Sequence, residues 1–419
     1  MKYVFHVSPN IKGRLTTHNI MRDLMIALAA VFVCSLVYYG SAYGMATALH
    51  EVVLLAASLV TTYVCEFLYA KATKQEPKTF IKNSFGCVTA LILTMMCTVN
   101  VTVYAIIIAT VFAIVFGRLL FGGFGQNIFN PAAVGRAVIF AAFTGASTDL
   151  LTSATPVSEI ATSYHWLPAN AEMVDTFVDG FGGWTSMLLG THGGAIGETF
   201  ILAILIAGAF LIWRHVIDWR IPTVYFGVIA VLTALIAILT GLEPYNGIPA
   251  WLWYPAIHLL TGGVVFGGVF MLTDPVTNPT SPAGRVIFAT GAAVLTVLIR
   301  LKANLPEGCL YSILLMNMFT PMIEQALDGK QLQMVNKARI IAGVLLVLGL
   351  ASCFYVSATV EPVASLKSSA TSAATTAATG EGESGDEEHA STEATAGGEG
   401  EGDAEHASTE ANEGTEDAE

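Results

Sequence analysis

Long apolar runs broken by short polar stretches dominate this chain. They fall near residues 24–43, 46–69, 85–99, 101–120 and 133–144 and, after a polar interval, near 200–213, 224–239, 257–272, 286–298, 309–326 and 340–355. The longer runs approach the roughly 20 residues that carry a helix across a bilayer core, and the shorter ones suit half-helices. The pattern predicts an all-α fold, a polytopic transmembrane helix bundle. The first run follows a short polar segment and precedes no small-residue cleavage site, so it reads as a retained helix. Composition agrees: 54% of residues are hydrophobic and 12% charged, against roughly 25% charged in a soluble domain. Such a chain cannot cover its own surface with polar groups, and it calls for lipid around it.

The net charge of −13 is concentrated at one end, since half of the 32 acidic residues lie from Glu361 onward, beside a single base, Lys367. The body is close to neutral and has no basic stripe, so no nucleic-acid partner is expected. The tail is Ala, Thr, Ser, Gly and Glu, and it repeats the heptapeptide of residues 388–394 at 405–411. It cannot bury enough surface to offset its ordering entropy and is expected to be disordered. The six cysteines stand singly in or beside apolar runs, without CxxC spacing, as small buried hydrophobes do. No metal site is expected.

Lysine and arginine set the expected orientation. Lys2, Lys12, Arg14 and Arg22, then Lys71, Lys74, Lys78 and Lys82, belong on the cytoplasmic side, with Arg118, Arg136, Arg214, Arg220, Lys330, Lys337 and Arg339 following by helix parity. No Lys or Arg occurs from Ala137 to Trp213, which makes 145–198 an external loop, whereas Arg300 and Lys302 break the rule at an outer helix end. The predicted organisation is a cytoplasmic segment (1–23), a first membrane repeat (24–144), the external loop (145–198), a second membrane repeat (199–326), a link with an extra helix (327–359) and the acidic tail (360–419).

The chain also resembles itself. Phe121-Gly-Gly leads to Asn130-Pro131 and Gly135-Arg136, and Phe266-Gly-Gly leads to Asn278-Pro279 and Gly284-Arg285. Proline removes a backbone donor and glycine tolerates left-handed angles, so helices should break there. Freed backbone at membrane depth survives when buried in protein or lining a cavity. Paired breaks predict two inverted repeats facing each other across a central site, although small residues also serve tight helix packing. Asn127, Asn130, Arg136, Asp274 and Asn278 are the candidates to line a flavin or ion site there. Asp274, like Glu51 and Glu66, is either an ion or proton station or, in its own case, a helix cap.

One external segment carries a different chemistry. Asp149-Leu-Leu-Thr152-Ser153-Ala154-Thr155-Pro156 offers a hydroxyl that a phosphate can esterify. By spacing alone it is ordinary turn chemistry. Its pattern, Asp-x-x-Ser/Thr-x-Ala-Thr, resembles the flavinylation motif on whose final threonine a flavin transferase places FMN. Leu150-Leu151 and Ser153 depart from its commoner form. Further segments are similar to the D subunit of the Rnf ion-translocating electron transport complex: Ser8-Pro-Asn-Ile, 16–24, 125–136, 270–279, 297–308 and 317–321. The resemblance covers residues 3–325. It implies covalent FMN on Thr155, with Asp149, Thr152, Ser153 and Ala154 as the recognition segment. It further implies a noncovalent riboflavin in the bundle, Rnf subunits and a flavin transferase as partners, and electron transfer between ferredoxin and NAD coupled to sodium or proton transport in the cell membrane. The B subunit of the sodium-pumping NADH–quinone reductase is a near relative with a longer N-terminal segment. With no Rossmann fingerprint and no cysteine cluster, this chain is expected to be one component of an enzyme. A rival from another class is a small-solute channel, whose pore the paired breaks would line.

Overall fold

The computed structural model describes residues 16–143, 155–303, 308–329, 331–360 and 363. Asp149, Thr152, Ser153 and Ala154, and the acidic tail beyond Val363, lie outside the described residues. Helix dominates the rest. The first half contains α1 (Thr17–Ala42), α2 (Met45–Ala72), the short α3 (Pro77–Ser84), α4 (Gly86–Met95), α5 (Val103–Val111) with a π-helical turn (Phe112–Phe116), and α6 (Pro131–Ala142). Three short helices follow outside the bundle: α7 (Pro156–Thr162), α8 (Ala171–Gly180) and α9 (Gly183–Leu189). The second half contains α10 (Ile201–Trp213), α11 (Arg220–Leu239), α12 (Ala250–Leu260), α13 (Val264–Phe266) with a π-helical turn (Gly267–Met271), α14 (Pro282–Lys302) and α15 (Gly308–Leu327). A last helix, α16 (Gln331–Thr359), lies along α11 and α14. Each predicted run corresponds to one of these helices or, where a π-helical turn or a break intervenes, to a joined pair. The bent pair α12–α13 turns by 73° at its break.

Contacts between helix ends sort into two faces. On the first, Asp23 near the start of α1 pairs with Arg214 past the end of α10 at 2.8 Å, and Asp218 pairs with Arg285 of α14 at 2.6 Å. On the opposite face, the Tyr39 hydroxyl of α1 donates to the Gly194 carbonyl at 2.8 Å, and Lys302 of α14 donates to the carbonyl of Thr359 at 3.1 Å. We call these the Asp23 face and the Tyr39 face. α1 runs from the first to the second and α10 runs back. α10, which opens the second half, thus starts from the face opposite to the one where α1 starts, so the second half sits upside down relative to the first.

This architecture corrects the reading of the sequence repeat. The Phe-Gly-Gly of the first copy ends the fourth crossing, where Gly122 and Gly123 take φ of +112° and +101°. In the second copy Gly267 and Gly268 stay inside the third crossing, where an added Cβ would strike Cys309 and Phe226. One tripeptide serves as a helix stop in one place and as a packing notch in the other. The motif copies are therefore offset by one crossing from the inverted halves.

α2 shows what lipid does to a helix. Its buried stripe carries four polar residues, Glu51, Ser58, Thr62 and Glu66, beside Ala48, Leu54 and Ala70, whereas Val60 and Leu68 on the outer side are 62% and 59% exposed. Hydrocarbon solvates the apolar face, and polar groups must find partners inside. Ser58 does so, its hydroxyl lying 3.0 Å from that of Thr110.

Candidate functional site

The two halves meet at the Asp23 face. Asn130 caps α6: its Oδ1 accepts from Ala132 N at 3.1 Å and from Ala133 N at 3.4 Å. Its Nδ2 donates to the Met271 carbonyl, 3.3 Å away, at the end of the π-helical turn in the other half. One amide thus starts a helix in the first half and satisfies backbone at a helix break in the second. Beside it lies a cavity of about 50 Å³, lined by Asn127, Asn130, Arg118 and Asp274 among Phe85, Phe124 and Phe270. That space holds a few waters or a small cation, not a tricyclic ring, so we do not place the noncovalent flavin there.

Asp274 accepts from Val276 N at 3.2 Å and from the Thr277 hydroxyl at 3.3 Å, bracing the turn before α14. Burial pushes its carboxyl up, against the pull of those bonds and of Arg118. Arg118 donates to Ser84 Oγ at 2.9 Å and lies 3.7 Å from Glu66, whose carboxylate accepts from the same serine. Side-chain exposures of 2% and 0% make Arg118 and Glu66 a buried ion pair. Glu51 is also buried, and neither of its oxygens has a hydrogen-bond partner among the described residues.

The other two candidates lie elsewhere. Arg136 lies over the Phe140 ring within α6, 4.1 Å from its centroid, and lines neither this cavity nor the next. Asn278 lines a separate cavity of about 390 Å³ with Asp218, Arg220 and Arg285. Asp274 and Asn278 are divided because the turn between them presents its two ends to different cavities.

On the Tyr39 face, Thr155 is the N-cap of α7. Its Oγ1 accepts from Ser158 N at 3.1 Å and donates to Ser158 Oγ at 3.0 Å, and the residue is half-buried. α7 packs over the break between α12 and α13, where Gly262 leaves room for Val157 and Arg300. Arg300 explains its departure from the charge rule. It is 5% exposed and donates to the carbonyls of His258 at 2.6 Å and Thr261 at 2.9 Å, which the break frees from the helix ladder. Its guanidinium lies over Trp166, which stacks on His258 with centroids 5.1 Å apart. Sequence reasoning used Arg118 and Arg300 only as orientation markers. The signal that each is structural was an arginine set within an apolar run, in Val115-Phe-Gly-Arg118-Leu-Leu and Val297-Leu-Ile-Arg300-Leu.

Comparison with known proteins places these features in a lineage. The family described as NQR2, RnfD, RnfE matches residues 4–333. The chain is 33% identical over 336 residues to the D subunit of the proton-translocating ferredoxin:NAD(+) oxidoreductase complex of Clostridium ljungdahlii, covering 77% of this chain and 95% of that one. It is 34% identical over 326 residues to the D subunit of the Na(+)-translocating ferredoxin:NAD(+) oxidoreductase complex of Acetobacterium woodii, covering 76% and 91%. It is also 33% identical over 272 residues to the B subunit of the Na(+)-translocating NADH-quinone reductase of Pseudomonas aeruginosa, covering 63% and 64%.

Proposed function

Because the chain belongs to the NQR2, RnfD, RnfE family, we propose that it is the D-type membrane subunit of an ion-translocating ferredoxin:NAD oxidoreductase complex and carries FMN on Thr155. Alignment over 95% and 91% of the two D subunits favours this over the quinone-reductase reading, where it spans 64%. By charge, the Asp23 face is cytoplasmic and the Thr155 face external.

The observation that carries the flavin reading is the setting of Thr155. Its hydroxyl is partly accessible, and its hydrogen bonds stay within its own turn. Esterification would replace the hydrogen donated to Ser158 Oγ and leave α7 free to take its cap from a phosphate oxygen. Thr155 would hold the group, and Pro156 fixes the backbone behind it. When bound, FMN supplies electron transfer. The chain's own part is to hold that group beside the α12–α13 break, clamped by Arg300 and Trp166. In-gel fluorescence of the denatured protein, produced with and without a flavin transferase, tests this. A band only in the presence of the transferase supports it, and none in either case overturns it.

Asp274 serves in this reading as a station for the transported ion. Asp274→Asn removes the charge and keeps the turn, since the amide oxygen still accepts from Val276 N while the amide nitrogen donates to the Thr277 hydroxyl in place of accepting from it. Cation uptake into proteoliposomes holding the whole complex is expected to fall about tenfold, a loss of about 1.4 kcal/mol at the station, with covalent flavin unchanged. Undiminished uptake reduces Asp274 to a turn residue.

A further inference from the structure

The 390 Å³ cavity that holds Asn278 has no part in the reading above, yet its lining is unusually charged for the edge of a membrane bundle. Three parts of the chain build it: the segment from the end of α10 into α11 (His215, Asp218, Arg220), the turn before α14 (Thr273, Asn278), and the first turn of α14 (Arg285). Asp218 lies between the two arginines, its Oδ2 3.0 Å from Arg220 Nη1 and 2.6 Å from Arg285 Nη1. Arg285 Nε also donates to the Pro279 carbonyl at 3.0 Å. The Asp218 carboxylate thus locks both guanidinia in place without neutralising both.

The donor count leaves a clear surplus. Two guanidinia present about ten N–H groups, and their side-chain donors reach Asp218 Oδ2 and the Pro279 carbonyl. The two side chains are 40% and 29% exposed, so the remaining donors face water or a ligand. Preset, forked donors in excess of local carboxylate suit a phosphate, which guanidinium binds bidentately.

The surroundings identify the source of that phosphate. Trp213 and Trp219 flank the site at 74% and 54% exposure, and Trp219 lies against Arg220 with 5.6 Å from ring centroid to guanidinium. Exposed tryptophans at helix ends mark the headgroup level of a bilayer. Beyond them, α10 and α11 present Ile206 and Val231, 63% and 67% exposed, as a surface for acyl chains. A basic pocket between helices at this depth is where an acidic headgroup docks.

We propose that this cavity binds the headgroup phosphate of an anionic phospholipid, gripped by Arg220 and Arg285, with its acyl chains along α10 and α11. The test is thermal unfolding of the purified complex in detergent, titrated separately with phosphatidylglycerol in mixed micelles, phosphatidylcholine and inorganic phosphate. Phosphatidylglycerol alone is expected to raise the midpoint, and Arg220→Gln with Arg285→Gln to weaken that binding by tenfold or more. An equal rise with phosphatidylcholine, a rise with inorganic phosphate that accounts for the whole effect, or unchanged affinity in the double variant would each overturn the proposal. So would a double variant that binds lipid normally but loses a partner subunit, since the guanidinia would then belong to a protein contact. If the glutamine pair fails to assemble, Arg220→Lys with Arg285→Lys keeps the charge and removes the fork. Phosphatidylglycerol co-purifying per complex, counted by mass spectrometry, should then drop severalfold, and an undiminished amount overturns the proposal.

Discussion

Thr155→Ala is expected to abolish the fluorescent flavin band on a denaturing gel and to leave the protein in the membrane at normal abundance. Two effects separate in this variant. Losing the cap of α7 costs about 1 kcal/mol, and that helix lies outside the bundle, so folding should survive. Losing the nucleophilic oxygen removes every route to a phosphoester at this position, so the flavin signal should vanish, not weaken. Thr155→Ser keeps both the cap and the oxygen and should restore part of the band. Full fluorescence in Thr155→Ala would place the attachment at another residue. Absence of the protein altogether, with Thr155→Ser normal, would mean the cap matters more than its local energy suggests.

Arg118→Met should be the most destabilising single substitution near the Asp274 cavity. It strands Glu66, buried at 0% side-chain exposure, with Ser84 as its remaining hydrogen-bond partner. Breaking one side of a buried pair costs about 3–5 kcal/mol, because the surviving charge is left uncompensated. The double variant Arg118→Met with Glu66→Leu removes both charges and should recover most of the loss. Thermal unfolding of the detergent-purified protein checks this. A double variant no better than the single one would show that Arg118 acts through Asp274 and Phe124 instead of Glu66.

The bundle was legible in the sequence because lipid imposes a one-term rule: apolar runs of crossing length become helices. The opposed directions of α1 and α10 were also legible, since charge parity puts Arg22 and Arg214 on one side and both pair with Asp23. Pairwise geometry was not. Asp274 and Asn278 are close in sequence and look like one site, yet the turn that Asp274 braces presents them to different cavities. Phe-Gly-Gly reads identically twice, and only the neighbours of each copy decide whether its glycines stop a helix or admit Cys309 and Phe226. Arg300 looked like an orientation error because sequence shows the charge but not the carbonyls it satisfies. Thr155 was found through resemblance alone, since a capping threonine before proline carries no mark of chemistry in its spacing.

α16 has a practical consequence. It begins after the Asp23 face and ends at the Tyr39 face, where Lys302 holds the carbonyl of Thr359 and Val363 N donates to Leu167 O at 3.2 Å. The described chain thus enters the bundle at one side, near Thr16, and leaves it at the other. With the Asp23 face cytoplasmic and the Tyr39 face external, as proposed, epitope labels placed at those two points sit in different aqueous compartments. A protease added to sealed vesicles would strip one label from molecules inserted one way up and the other label from those inserted the opposite way. The ratio of surviving labels then measures how evenly a reconstitution is oriented, which is the normalisation every vectorial transport assay on this protein requires.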